Sequence, residues 1–168
     1  LFLGTLAAVF VQGTAVAQDN RPAAENGDLR TVGYVETVVI NPGNMRIDAK
    51  LDTGAFSSSI DTLNIVPFKQ GSQQWVRFTV MMGERGRRNF SMPVVRIATI
   101  KRASAPPQRR YVVEMDVCLG GIYKKAEITL VNRNRMKYRM LIGRLYMAGD
   151  FVVDPNRTYL TRPDCQVQ

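Results

Sequence analysis

Histidine is absent from this chain of 168 residues, and cysteine occurs only twice. Structural zinc sites take four cysteine or histidine ligands, so the chain has too few of them for such a site. The sequence also lacks a Gly-x-x-x-x-Gly-Lys segment, the loop that cradles the phosphates of ATP in many nucleotide-binding proteins. We therefore expect no metal and no other cofactor.

No apolar run reaches the roughly 20 residues that a membrane-spanning helix needs. Residues 1–11 are apolar, and a small-residue segment follows up to Ala15-Val16-Ala17. This pattern is typical of a signal peptide with an A-x-A cleavage site, although a membrane anchor is the alternative. Because the chain begins at Leu1 with no basic residue ahead of the apolar run, we expect the signal peptide to be N-terminally truncated.

The remaining chain is long enough for one domain of roughly 100 to 150 residues. Residues 18–30 are too polar to bury an apolar core and predict a flexible tether. The predicted organisation is a signal peptide over residues 1–17, the tether, a domain over residues 31–162 and a tail over residues 163–168. A cleaved signal peptide predicts a periplasmic or secreted protein that keeps no membrane association.

Basic residues outnumber acidic ones by 23 to 14, which gives a formal net charge of +9. None of that charge lies in residues 1–17, so the exported part carries all of it. Acidic partners are expected, although the charge could equally serve solubility. Nucleic acid is disfavoured because no motif places aromatic residues beside the basic ones.

The two cysteines are Cys118 and Cys165. An even number of cysteines in an exported chain permits one disulfide. The alternative is a buried, reduced Cys118 on a strand and a free Cys165 in a frayed tail. Both readings stay open from the sequence.

Short alternating segments separated by turn residues predict an all-β fold, closed or nearly closed into a barrel. The first hairpin runs from Val32 through a turn at residues 41–44 to Leu51, and a second hairpin joins residues 75–81 to residues 94–97. A loop is expected at residues 103–108. Helix is expected only directly after Gly143 and near Leu63. Further strands are expected over residues 111–117, 126–131, 140–142 and 151–153.

Asp52 ends the second strand of the first hairpin and precedes Thr53, Gly54 and Ala55. A strand that delivers one acid to a tight glycine turn exposes the carboxylate, while the N–H groups that follow hold it in place. An Asx turn that caps a hairpin is the alternative explanation of a lone D-T-G.

The segment A-K-L-D-T-G-A at residues 49–55, followed by M-L-I-G-R at residues 140–144, resembles the retropepsin-like aspartic peptidases. The similarity covers about residues 32–160 and is greatest with a bacterial branch labelled ATP-dependent zinc protease. The residues fit neither cofactor in that label. The motifs specific to the branch include residues 75–78, 93–96, 118–120, 136–138 and 151–155.

This resemblance implies a hydrolase that uses two carboxylates about 3 Å apart, which share one proton and activate a water molecule. One chain supplies one such acid, because Asp61, Asp150 and Asp154 are not followed by Thr-Gly or Ser-Gly. The resemblance therefore implies a homodimer that pairs Asp52 with Asp52 of a second copy.

The resemblance also assigns roles around the acid. Thr53 would hydrogen-bond across the dimer, Gly54 would contact substrate, and Gly143 and Arg144 would support the loop with Ala55. Viral relatives often place an acidic residue after D-T-G-A to receive the arginine, whereas this chain has Phe56. Many members of the bacterial branch have a histidine shortly after the motif, and this chain has none.

A flap over the substrate is expected on the hairpin of residues 97–111. Its candidate substrate-binding residues are Arg102, Ser104, Arg109 and Arg110. The charge of the arginines favours acidic peptides, and a solvated loop is the alternative explanation of such a charge run. The predicted function is hydrolysis of peptide bonds in peptides or proteins. The alternatives are a non-catalytic peptide-binding module on the same barrel and a structural envelope protein held by an uncleaved N-terminal segment.

Overall fold

The computed structural model describes residues 29–102 and 105–165. The predicted signal peptide and nearly all of the predicted tether lie outside these residues. The regular secondary structure of the described residues is β-strand, apart from a 3-10 turn at Gly83–Arg85 and one short α-helix directly after Gly143, so the predicted fold class is confirmed. The strands are β1 (Arg30–Asn41), β2 (Met45–Leu51), β3 (Ser58–Gln70), β4 (Gln73–Met81), β5 (Arg87–Pro93), β6 (Arg96–Arg102), β7 (Ala105–Leu119), β8 (Ile122–Val131), β9 (Met140–Ile142) and β10 (Phe151–Thr158), and the helix is α1 (Arg144–Met147).

Six of these strands close into a barrel in the order β1-β2-β9-β3-β8-β7. The barrel closes where β1 pairs with β7, with Val39 opposite Cys118. Strands β10 and β6 extend the sheet beside β1 and β7, and β4 and β5 continue from β3. Alternate residues of each barrel strand point inward, as in Met45, Ile47, Ala49 and Leu51, all of which are buried.

The second hairpin was predicted with the wrong second strand. Strand β4 pairs with β5, from Trp75 opposite Pro93 to Met81 opposite Arg87, and not with residues 94–97. Strand β5 is mostly polar and exposed, so it lacks the alternation that identifies a half-buried strand. It contacts the core through Phe90, whose ring centroid lies 5.7 Å from that of Phe78, and through Met92.

The helix predicted near Leu63 is also wrong, because this residue lies in the middle of the long strand β3. The first part of β3 pairs with β8 and β9, and the second part pairs with β4. The strand changes partners across a register shift between Leu63 and Val66, where Asn64 has a φ of 53°. Pro67 would interrupt a helix here, whereas a strand accommodates it because this part of β3 pairs with β4 on one side only.

The loop predicted at residues 103–108 is largely replaced by strand. Strand β7 begins at Ala105, and Gln108 pairs with Ile100 of β6. The register shifts between Ile100 and Arg102, which leaves room for Pro106 and Pro107 on the opposite strand. Strand β8 pairs with β7 only from Val112 onward, so the N–H groups that these prolines lack are not needed on that side.

A disulfide joins Cys118 at the end of β7 to Cys165, with 5.9 Å between their Cα atoms. The bonded alternative of the two cysteine readings is therefore the one observed. The guanidinium of Arg30 also donates a hydrogen bond to the carbonyl of Gly120, in the turn that follows β7. Both contacts hold the ends of the described chain against the same side of the barrel. Of the described helices, none is long and apolar enough to span a membrane.

Candidate active site

Asp52 follows β2 directly, and backbone hydrogen bonds hold it in position. Its N–H donates to the carbonyl of Ile142 in the neighbouring parallel strand β9, at 2.9 Å. The N–H of Gly54 donates to Oδ1 of Asp52 at 3.0 Å, and the N–H of Ala55 donates to the carbonyl of Asp52 at 3.1 Å. The first of these two contacts is an Asx-type turn, so the D-T-G segment both forms a turn and presents an acid. The carboxylate keeps an exposed fraction of 28%.

Arg144 binds the loop that follows Asp52. Its Nη1 donates to the carbonyl of Thr53 at 2.9 Å and to that of Gly54 at 3.2 Å. Its backbone N–H donates to the carbonyl of Ala55 at 2.8 Å. The carbonyls of Thr53 and Gly54 are therefore partners of the Arg144 side chain, in a loop that has Phe56 and no acid at that position.

Gly143 lies where the start of α1 crosses the Asp52 loop. Its N–H donates to the Ser58 hydroxyl at 3.2 Å. A Cβ atom at this position would lie 2.6 Å from the carbonyl carbon of Ser57 and 2.9 Å from the carbonyl oxygen of Phe56. Since both contacts are with backbone atoms, only glycine allows the two segments to pass this closely.

Sequence reasoning missed four residues that lie beside the candidate site. They are Lys50, Ser59, Asp61 and Arg133. Lys50 Nζ lies 3.6 Å from Oδ2 of Asp52. Asp61 is buried and accepts hydrogen bonds from Arg139 Nη1 at 2.7 Å and from the backbone N–H of Arg133 at 2.6 Å. The sequence signal for Lys50 was its two-residue spacing from Asp52, because residues two apart at a strand end project to the same side.

The predicted flap hairpin consists of β6 and β7. Arg109 lies opposite Thr99 and Arg110 lies opposite Ala98. Nε and Nη2 of Arg110 donate to Oε1 of Gln108, the latter at 2.8 Å. Ser104 and the side chain of Arg102 lie outside the described residues. Among the residues that are described, no group of three or more acidic or cysteine side chains is placed to hold a metal ion.

A closed six-stranded barrel, with a D-T-G loop crossing a Gly-Arg helix start, defines the retropepsin-like class of protein. More particularly, the chain belongs to the RimB-like family. The family model described as "Retropepsin-like aspartic endopeptidase RimB" matches residues 31–164.

Curated relatives carry a different name. A "Probable alpha-L-glutamate ligase" of Shewanella pealeana is 37% identical over 116 residues, which are 67% of this chain and 25% of that protein. A protein of the same name from Parasynechococcus marenigrum is 35% identical over the same shares of the two chains. The chain thus spans about a quarter of the length of these relatives.

A solved structure has the same fold. It is the crystal structure of a protein of unknown function (DUF785) from Legionella pneumophila subsp. pneumophila strain Philadelphia 1. The TM-score is 0.67 and the sequences are 32% identical, over 79% of this chain and 98% of the other.

Proposed function

We propose that this protein is an exported aspartic peptidase whose active site forms when Asp52 pairs with Asp52 of a second copy. The observation that carries the proposal is the geometry of the loop. The Asp52 carboxylate reaches solvent, while its backbone is fixed by β9 and the following carbonyls are held by Arg144. A loop held this firmly is suited to a reaction that depends on placing two acids about 3 Å apart.

The chemistry follows from the shared proton of such a pair. The ionised carboxylate takes a proton from a water molecule as the water oxygen attacks the scissile carbonyl carbon. The protonated carboxylate donates to the carbonyl oxygen, which becomes a hydroxyl of the tetrahedral intermediate. Collapse of the intermediate breaks the C–N bond, and the amine leaves with a proton supplied by the pair. The step needs no cofactor.

An apolar surface beside the loop supports dimer formation. Thr53, next to the acid, is exposed and borders a groove that continues along α1 and β10. Val152 on this surface has an exposed fraction of 48%. A second copy related by a two-fold axis near Thr53 would cover this groove and bring the acids together. The groove is lined by Thr53, Arg144, Met147, Ala148, Phe151, Val152 and Val153.

We propose an acidic peptide or protein substrate, such as a glutamate-rich tail. The net charge of +9 supports this class of substrate. The curated relatives named as probable glutamate ligases support it as well, because a domain shared with such an enzyme would meet glutamate-containing peptides.

Export is the location that we propose. The Cys118–Cys165 disulfide supports it, since such bonds persist in oxidising compartments such as the periplasm.

The test is cleavage of a mixed peptide library by the protein from Gln18 onward, from acidic to neutral pH, alongside Asp52→Asn. We expect the wild type to cleave and the variant to lose activity by several orders of magnitude at unchanged fold and oligomeric state. Cleavage by the variant at the wild-type rate would contradict the aspartate mechanism. A folded wild-type dimer that binds peptides without cleaving them would instead support the alternative, a non-catalytic peptide-binding module.

A further inference from the structure

The outer face of the barrel next to Asp52 carries one row of side chains in strand register. Lys50 pairs with Leu141, Leu141 with Ser59, and Ser59 with Thr129. Residues paired in register on neighbouring strands project from the same face of a sheet, and this row leads away from the strand end that carries Asp52. Thr129 in turn pairs with Val112 of β7, the strand that carries Arg110 two positions earlier.

Arg133 reaches back onto this row from the loop after β8. Its Nη1 donates to the Ser59 hydroxyl at 2.9 Å, and its Nε donates to the carbonyl of Tyr138 at 3.2 Å. The side chain is half-buried. In the part of the chain that the structure describes, no carboxylate forms an ion pair with this guanidinium, and Nη2 makes no hydrogen bond. A guanidinium has five N–H donors, so Arg133 has donors left for a ligand.

Burial, a second arginine and two carboxylates all act on the charge of Arg133. Burial lowers the pKa of Arg133, the charge of Arg110 adds to that lowering, and the carboxylates of Asp61 and Asp52 oppose it. Asp61 is already neutralised by Arg139 at 2.7 Å. Asp61 thus has an arginine partner of its own, and Arg133 interacts electrostatically with both Asp61 and Asp52.

We propose that Arg133 binds the carboxylate of an acidic substrate side chain close to the scissile bond. Arg133 is then a specificity-determining residue, oriented by Ser59 and Tyr138. Arginine suits this task because its planar fork of donors matches the two oxygens of a carboxylate. Lys50 and Arg110 add positive charge around the same row. The inference rests on the proposed function of Asp52 and assigns its substrate preference to one residue.

The test compares Arg133→Gln with the wild type on otherwise uncharged peptides that each carry one glutamate at a different position, and on matched peptides with glutamine there. We expect kcat/KM for the best glutamate peptide to fall about 10- to 100-fold, mainly through KM. For the matched glutamine peptide, kcat/KM should change less than about 2-fold. Arg133→Lys should restore part of the preference, because it keeps the charge without the fork. Arg135→Gln, an exposed arginine on the same loop, is the matched control and should behave as wild type.

A binding assay separates this inference from the proposed function. In an Asp52→Asn background, the fluorescence anisotropy of the same labelled peptides should show tighter binding of the glutamate peptide, and Arg133→Gln should abolish the difference. A preference that survives Arg133→Gln, or an equal loss of affinity for both peptides, would overturn the role of Arg133. Absence of cleavage by the wild type, with the preference in binding intact, would overturn only the peptidase.

Discussion

The most thoroughly bonded buried acid in the described structure is Glu36, which lies outside the candidate site. Its side chain is fully buried and accepts hydrogen bonds from four donors. These are the N–H of Gly33 at 2.6 Å, the N–H of Leu160 at 2.9 Å, and both the N–H and the hydroxyl of Thr161 at 3.1 Å. A single carboxylate therefore holds the C-terminal segment against β1.

Glu36→Gln should destabilise the protein by about 2–3 kcal/mol. The amide replaces one acceptor oxygen with an NH₂ group, which would face N–H donors, so buried donors lose their partner. Urea denaturation followed by tryptophan fluorescence would measure the change. Glu84→Gln, an exposed acid in the 3-10 turn after β4, is the matched control and should change stability by less than about 0.5 kcal/mol. An unchanged midpoint for Glu36→Gln would show that the four hydrogen bonds contribute little.

Sequence motifs directed the residue-level predictions, which missed side chains whose importance comes from tertiary contacts. Asp52 and Arg144 were predicted because each lies in a sequence motif, and the structure brings these two motifs into contact. Glu36 looks like any polar residue of an alternating strand until the C-terminal segment packs on it. Arg133 is one of several arginines in a basic chain, and only the fold places it beside Ser59.

At the scale of elements, the site depends on two short segments that cross at Gly143. The helix α1 spans only four residues and is held by tertiary contacts. The Tyr146 hydroxyl donates to the carbonyl of Val117 at 2.9 Å. Burial raises the pKa of this phenol well above its ordinary value, so the donor stays protonated at physiological pH. The helix therefore fixes Arg144 on one side and attaches to β7 on the other.

Gly143→Ala should inactivate the protein by displacing the Asp52 loop. The added methyl would meet backbone atoms of Ser57 and Phe56 at less than 3 Å, and overpacking of this kind costs about 1–3 kcal/mol. We expect a loss of kcat/KM of at least about 100-fold, measured with the peptide found in the library screen.

Gly149→Ala is the control for this substitution. Its methyl would meet nothing within 4 Å, although its φ of 84° makes any side chain strained. It should lower stability by about 1–2 kcal/mol and leave kcat/KM unchanged. If both variants lost activity in proportion to stability, the close crossing at Gly143 would have no special role in the site.

The elements that the sequence predicted are those with a buried face of regular period. The first hairpin was found because Met45 to Leu51 alternate strictly. Strand β5 was missed because its residues are largely exposed, and β3 was misread around Leu63 because it changes partners there. Pairing with a neighbouring strand decided both cases, and pairing is not a local property of the sequence.

At the scale of the whole molecule, the barrel is closed, and the side that carries Asp52 has exposed apolar residues. Phe56 has an exposed fraction of 61% and Leu145 one of 51%, and their backbones are joined by a hydrogen bond of 3.0 Å. Val152 lies on the groove beside Thr53. Apolar exposure next to the only D-T-G acid in the sequence is what the proposed dimer requires.

Val152→Glu should convert the proposed dimer into an inactive, folded monomer. Two copies of the new carboxylate would be buried near the two-fold axis, where an unpaired charge costs several kcal/mol. Sedimentation velocity would show the monomer, circular dichroism should match wild type, and kcat/KM should fall by at least about 100-fold.

Val66→Glu introduces the same charge at a comparably exposed valine on the β3–β4 hairpin and should leave oligomeric state and activity unchanged. Wild-type activity per chain should also fall on dilution below the dimer dissociation constant, because each copy supplies one acid. Full activity in a monomeric Val152→Glu variant would mean that a single Asp52 suffices, and the mechanism would then need a different proton acceptor.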